Sequence, residues 1–264
     1  MTMLRHAPLV LVIAAGALYL RERRARTRLE RLGAATLETL LDAIDANNPD
    51  TGAHVRRVAR YSLILADSAD LDERMQHRIE RVALFHDIGK LDGAIADIIN
   101  ESTKLSPSER RSIRTHPGRG AQVLQPLIAF YPDLADGVLT HHERWDGSGY
   151  PRGLKGRRIP LSARIVAIAD TFDAITHERS YSRARSIKVA ISAVSDGRGR
   201  QFDPDLVDLF LSPPVMKQVL AAMREANGPQ RARRSRRNGN EAQGIPDITF
   251  RWRTTAPEQQ KADQ

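Results

Sequence analysis

Arg81-Val82-Ala83-Leu84-Phe85-His86-Asp87-Ile88-Gly89-Lys90 is the stretch on which the fold of this chain turns. Ile79, Val82, Ala83 and Leu84 recur at helical spacing, and the apolar run ends on an imidazole beside a carboxylate. Adjacent residues on a helix differ by about 100° in direction, so both side chains can lean toward one ion, while the second oxygen of Asp87 is left for another. Lys90, four residues after His86 and three after Asp87, falls on the same face, where its ammonium can grip a phosphate oxygen. Alone, such a dipeptide reads as a helix end followed by a surface lysine. Its company changes the reading: His54, His116, His141 and His142 also lie where a carboxylate or second histidine can share a metal.

Outward from this stretch the apolar spacing remains helical. Leu29, Leu32, Leu37, Leu40, Leu41 and Ile44 predict an amphipathic helix ended by Asn47, Asn48 and Pro49. Val55, Val58, Ala59, Ser62 and Leu65 predict a second, and Ala121, Val123, Leu124 and Leu127 a further one. Ile165 to Ala169 continues with helical spacing into Asp170, Phe172, Ala174 and Ile175, so strand signals are scarce and no repeat is visible. The expected fold class is all-α.

The chain has 264 residues, enough for one catalytic domain with appendages, and no cysteine. Disulfides and thiolate zinc sites are thereby excluded, and a metal must be held by imidazole and carboxylate, which favours iron or manganese. The net charge of +9 suggests nucleic acid until its distribution is read. Six arginines fall between Arg21 and Arg31 and five between Arg231 and Arg237, outside the expected core. Solvated charge beside a membrane, with attraction to anionic lipid, is the preferred account, and nucleic acid is not an expected partner.

Ala7 to Leu20 is a 14-residue uncharged apolar run. As a helix it rises roughly 21 Å, short of a hydrocarbon core of about 30 Å, and Met1, Met3 and Leu4 close most of the gap. A signal peptide and a buried helix compete with an uncleaved anchor. The run meets Leu20 and Arg21 instead of a small-residue cleavage site, which favours the anchor, and the arginines place the remainder of the chain in the cytoplasm. The expected division is a transmembrane helix and basic juxtamembrane segment over 1–33, a catalytic domain over 34–211, and a largely disordered basic extension over 212–264. A short ordered piece near Ile248 to Trp252 is allowed for, and the Leu29–Ile44 stretch leaves homodimerisation open.

His86-Asp87, then His116, His141-His142, Gly149-Tyr150-Pro151 and Asp170 resemble the HD-GYP subgroup of the HD superfamily of metal-dependent phosphohydrolases. The likeness runs from about Leu40 to Leu211 and includes Thr115-His116-Pro117, Ile159 to Ile165, Ala169 to Ala174 and Phe202-Asp203-Pro204. It implies an HD-domain helical bundle with a GYP loop, two or three divalent metal ions, and hydrolysis of cyclic di-GMP to pGpG and onward to GMP. The alternative is a membrane-tethered cyclic-dinucleotide sensor or scaffold with little turnover.

By the same resemblance His54, His86, Asp87 and Asp170 hold one ion, and Asp87 bridges to a second held by His116, His141 and His142. Asp50, four residues before His54, stands as a ligand of a third ion or as a helix cap. His86, Asp87 and Lys90 form the catalytic centre. Lys90, Gly149, Tyr150, Pro151, Asp173, Arg179 and Arg183 are expected to contact substrate. Ser182 stands where the family usually has lysine. Asp173 and His177 share a helical face with Asp170 and can support it, although an exposed role for His177 is the simpler reading. The GYP loop is open to two uses, substrate access or contact with a signalling protein.

Overall fold

The computed structural model describes residues 7–91, 93, 95, 106–177 and 184–237. Arg179, Ser182, Arg183 and the stretch near Ile248 to Trp252 lie outside the described residues. A compact unit, Leu41–Ala242, carries the predicted ligands. Among the described residues there is no β-strand, so the all-α expectation holds.

The first helix, α1, runs over Ala7–Asn47 and ends where Asn47, Asn48 and Pro49 predict. Asn48 then starts α2 (Pro49–Ser68): its side chain accepts hydrogen bonds from the amides of Asp50 and Thr51, and proline occupies the first turn, where no amide is needed. The chain continues through α3 (Glu73–Phe85), a 3₁₀ turn over Ile88–Leu91, α4 (Pro107–Ile113), α5 (His116–Leu124) and α6 (Leu134–Thr140). It closes with α7 (Leu161–Thr176), α8 (Ile187–Asp196), α9 (Pro204–Phe210) and α10 (Pro213–Arg237). Asp72 caps α3 by accepting from the Met75 amide, and Ser106 with Glu109 forms a reciprocal cap on α4.

Helix α2 is the centre of the packing, lying against α3, α7 and α10, while α5 lies on α6 and on the 3₁₀ turn. Val55, Val58, Ala59 and Leu65 of α2 and Ile79, Val82, Ala83 and Leu84 of α3 are buried, as their spacing predicts. Edge-on rings continue the core: Tyr61 to Phe172 at 5.8 Å and Phe172 to Phe210 at 5.5 Å between centroids. Val123 departs from expectation and is exposed, because only Leu124 and Leu127 of its group turn inward.

Two terminal expectations fare differently. The extension drawn from 212 onward begins as α10, whose Val215, Met216, Val219 and Ala222 are buried and which packs on α2. The proline and arginine content of that region concealed an apolar stripe at helical spacing. At the other end, Leu29 and Leu32 are exposed on α1. Among the described residues no single helix is long and apolar enough to cross a membrane.

Candidate metal centre

Helix ends position the site. The last carbonyls of an α-helix lack partners within the helix, and an imidazole N–H can satisfy one. His86 follows the last residue of α3 and its Nδ1 lies 2.7 Å from the Ala83 carbonyl. His141 follows α6, with Nδ1 2.6 Å from the Val138 carbonyl, and His116 opens α5 with Nδ1 2.7 Å from the Ile113 carbonyl at the end of α4. Each bond places the proton on Nδ1 and leaves Nε2 as the lone pair directed inward.

His54 is oriented by a carboxylate instead. Its Nδ1 lies 2.6 Å from Oδ2 of Asp173. Asp173 has 0% exposure and also accepts from Arg57 Nε at 2.7 Å and Nη2 at 3.0 Å, and its Oδ1 lies 2.9 Å from Nδ1 of His177. Burial alone would raise the Asp173 carboxyl, but the hydrogen bonds from His177, His54 and Arg57 hold it well below the usual carboxylate range. Asp173, expected to touch substrate, is thus enclosed and spent on three basic side chains. His177 is likewise buried and not exposed.

The donor atoms fall into two groups, each within 4.8 Å internally: His54, His86 and Asp170 in one, His116, His141 and His142 in the other. Asp87 lies between them. Its Oδ2 is 3.5 Å from His86 Nε2 and 3.9 Å from His54 Nε2, and its Oδ1 is 3.3 Å from His116 Nε2. Asp170 Oδ1 is 3.3 Å from His54 Nε2 and 3.8 Å from His86 Nε2, and the Nε2 atoms of His116 and His141 are 3.2 Å apart. Asp50 is not in either group. It is exposed in the first turn of α2, where Asn48 supplies the cap.

Burial drives the His86 imidazole toward its neutral form and takes His141 well below the ordinary histidine value, helped there by His142, His86 and His116. His142 is pushed down to about 3 by burial and then by His116. Neutral imidazole is the form that ligates a metal. Burial opposes the charge on Asp87, yet Lys90, His86 and His116 together hold its carboxyl well below the usual range. Lys90 Nζ sits 2.7 Å from Asp87 Oδ2 at the partly exposed edge of the cluster.

The residues present fit divalent ions. His86 Nε2 is buried and makes no hydrogen bond, an uncompensated lone pair in a protein interior unless a cation meets it. The all-nitrogen and oxygen donor set suits first-row metals.

Glycine permits the close approach of the turn to α5. A Cβ at Gly89 would lie 2.0 Å from the His116 carbonyl oxygen and 2.6 Å from the Gly120 amide nitrogen. The same holds at Gly149, where a Cβ would meet the Arg144 amide nitrogen at 2.3 Å and Glu143 Cα at 2.5 Å. The Gly149-Tyr150-Pro151 loop is held shut by Glu143, buried, whose carboxylate accepts from the amides of Arg152 at 2.7 Å and Leu154 at 3.0 Å. The Tyr150 ring stacks on His142 with centroids 5.0 Å apart, and the Arg114 guanidinium lies 4.2 Å from its centroid. Glu143, Arg57 and Arg114 were not singled out from sequence. A glutamate between the paired histidine and a glycine-rich loop, and an arginine three residues after His54, were the available signals.

Residues 38–206 match the HD domain family. A probable cyclic di-GMP phosphodiesterase of Vibrio cholerae is 34% identical over 71% of this chain and 46% of its own length. The 3'3'-cGAMP-specific phosphodiesterase 2 of the same organism is 39% identical over 65% of this chain and 33% of its own. The chain therefore spans half or less of these curated relatives. An HDG"Y"P protein of Bdellovibrio bacteriovorus has the same fold, with a TM-score of 0.51 at 19% identity over 68% of this chain and 60% of that one. With its helical bundle, its His86-Asp87 pair and its GYP loop, the chain belongs to the HD domain family.

Proposed function

We propose that this protein is a metal-dependent phosphodiesterase that opens a cyclic dinucleotide, cyclic di-GMP being the first choice of substrate, to pGpG and onward to GMP. The observation that carries the reading is the Asp87 carboxylate standing between two sets of donors, with one oxygen toward each. His54, His86, Asp87 and Asp170 would hold one ion and Asp87, His116, His141 and His142 a second, with iron or manganese the fitting metals. When bound, such ions would supply the charge that neutralises the phosphodiester and the acidity that activates a water toward phosphorus.

The side chains around them do the rest. Lys90 holds its ammonium at the cluster edge, where a phosphate oxygen can exchange for part of its contact with Asp87. Tyr150, with Gly149 and Pro151, forms a wall beside His142, and burial raises its hydroxyl to about 12, so it stays a neutral donor. Arg179 belongs to the substrate set by resemblance alone, and Arg183 enters it as the cation next to Ser182, where the family usually has lysine. The names of the relatives support the substrate class.

The test is direct: full-length protein loaded anaerobically with Fe²⁺ or Mn²⁺, incubated with cyclic di-GMP or 3'3'-cGAMP, products separated by chromatography. Turnover that disappears in His86→Ala is the expected result. Absence of turnover with either nucleotide would overturn the enzyme reading, and tight binding without turnover would favour a sensor.

We also propose that Ala7 to Leu20, followed by its arginines, anchors the chain as a single pass with the catalytic unit in the cytoplasm. Recovery in the soluble fraction after alkaline extraction of membranes would refute this.

A further inference from the structure

Helix α3 carries a second set of side chains unrelated to His86. Arg74, Arg78 and Arg81 follow one another at intervals of four and three, which stacks them on one side of the helix. Facing them is the segment 130–134, which leads into α6. Between the two surfaces lies a cleft lined by Arg74, Arg78, Arg81, Phe130, Tyr131 and Asp133, about 420 Å³ with its mouth to solvent included. Because the mouth is open, a ligand can seat one end on the floor of the cleft and leave the other partly in water.

The charges in the cleft are not balanced. Arg78 pairs with Asp133 at 3.1 Å, and the nearby Glu80 stands 3.5 Å from His77. Arg81 lies over the Tyr131 ring, 4.6 Å from its centroid, and is only partly accessible. Among the described residues no acceptor makes a hydrogen bond or ion pair with its guanidinium. Exposed Arg74 has no ion pair among them either. Tyr131 and the carboxylates of Glu80 and Asp133 attract this half-buried guanidinium without hydrogen-bonding its five donors, and burial outweighs them and lowers its pKa. An external anion would complete it. The planar fork of arginine matches the oxygens of a phosphate, and the aromatic side chains beside it suit an organic group.

We propose that this cleft binds a phosphate monoester of mononucleotide size, with the phosphate on Arg81 and Arg74 and the organic moiety against Phe130 and Tyr131. The proposal does not depend on the catalytic reading, since none of these residues belongs to the metal centre.

The experiment is calorimetric titration of metal-loaded, full-length protein with GMP and with inorganic phosphate, repeated on Arg81→Met, Arg74→Gln and Asp133→Asn. The expected result is a GMP-binding component, tighter than that for inorganic phosphate, that weakens at least tenfold in Arg81→Met and severalfold in Arg74→Gln. Asp133→Asn should strengthen it, because a competing carboxylate is gone. Arg81→Met should melt no lower than the parent, as it removes a half-buried guanidinium whose burial outweighs the pull of its neighbours, and Arg74, being exposed, tests the site without touching the core. A GMP component equal in the parent and both arginine variants, no GMP component at all, or equal affinity for phosphate and GMP would overturn the proposal.

Discussion

Asp173 shows how one side chain can be relocated in function by its surroundings. Its place three residues after Asp170 allowed a supporting role and the resemblance a substrate contact, and it is sealed off and bonded to His54, Arg57 and His177. Asp173→Asn should weaken metal binding on the His54, His86 and Asp170 side by about 10–100-fold, the usual effect of removing a partner behind a ligand. Stepwise metal titration checks this, with one ion lost and the other kept. Unchanged metal content with a raised KM would return Asp173 to the substrate. Gly89 makes a second case. Gly89→Ala forces a methyl group into the His116 carbonyl, and overpacking of that kind costs about 1–3 kcal/mol. Both a lower melting temperature and a loss of the metal held by the three-histidine group are expected, read by thermal unfolding and metal analysis.

At the scale of elements, α2 combines a strong start with a central position. Asn48→Ala removes the acceptor for two amides at the head of the helix that carries His54, and should cost about 0.5–2 kcal/mol in denaturant unfolding. Helix α10 makes a sharper prediction. Truncation after Ser212 uncovers the places of Val215 and Val219, each worth about 1.5–3 kcal/mol when fully buried, so the shortened protein should be severely destabilised.

The apolar spacing made α2, α3 and α7 legible in the sequence, because their buried stripes are uninterrupted. Helix α10 was not, since its four inward residues are set among prolines, lysine and arginines that dominate any composition window. The residues that the fold gathers into the two donor groups were legible because their chemistry is rare and the family spacing is long. Their orientation was not: the carbonyls of Ala83, Ile113 and Val138 and the carboxylate of Asp173 are contacts of the folded chain, with no residue-type signature in three of the four cases.

For the molecule as a whole, the donors come from α2, α5, α7, the ends of α3 and α6, and the turn after α3, so ions there join most of the bundle. Ligands that bind only the folded state add about 2.7 kcal/mol at a hundredfold excess over Kd. With roughly 2–4 °C per kcal/mol for a domain of this size, chelation should lower the melting temperature by about 5–10 °C. Calorimetry before and after chelator, with recovery on adding Mn²⁺, measures it. An unchanged melting temperature would mean that the centre does not fasten the bundle.

His86 and His141 take their direction from carbonyls one turn back on α3 and α6. An insertion or deletion of a single residue inside either helix would keep that local bond, because a carbonyl always lies three residues back, but would turn the imidazole by about 100° away from the buried stripe that aims it at the other donors. Natural length variation in relatives should therefore be confined to connections such as 128–133, while the count of residues from Ile79 to His86 and from Leu134 to His141 stays fixed.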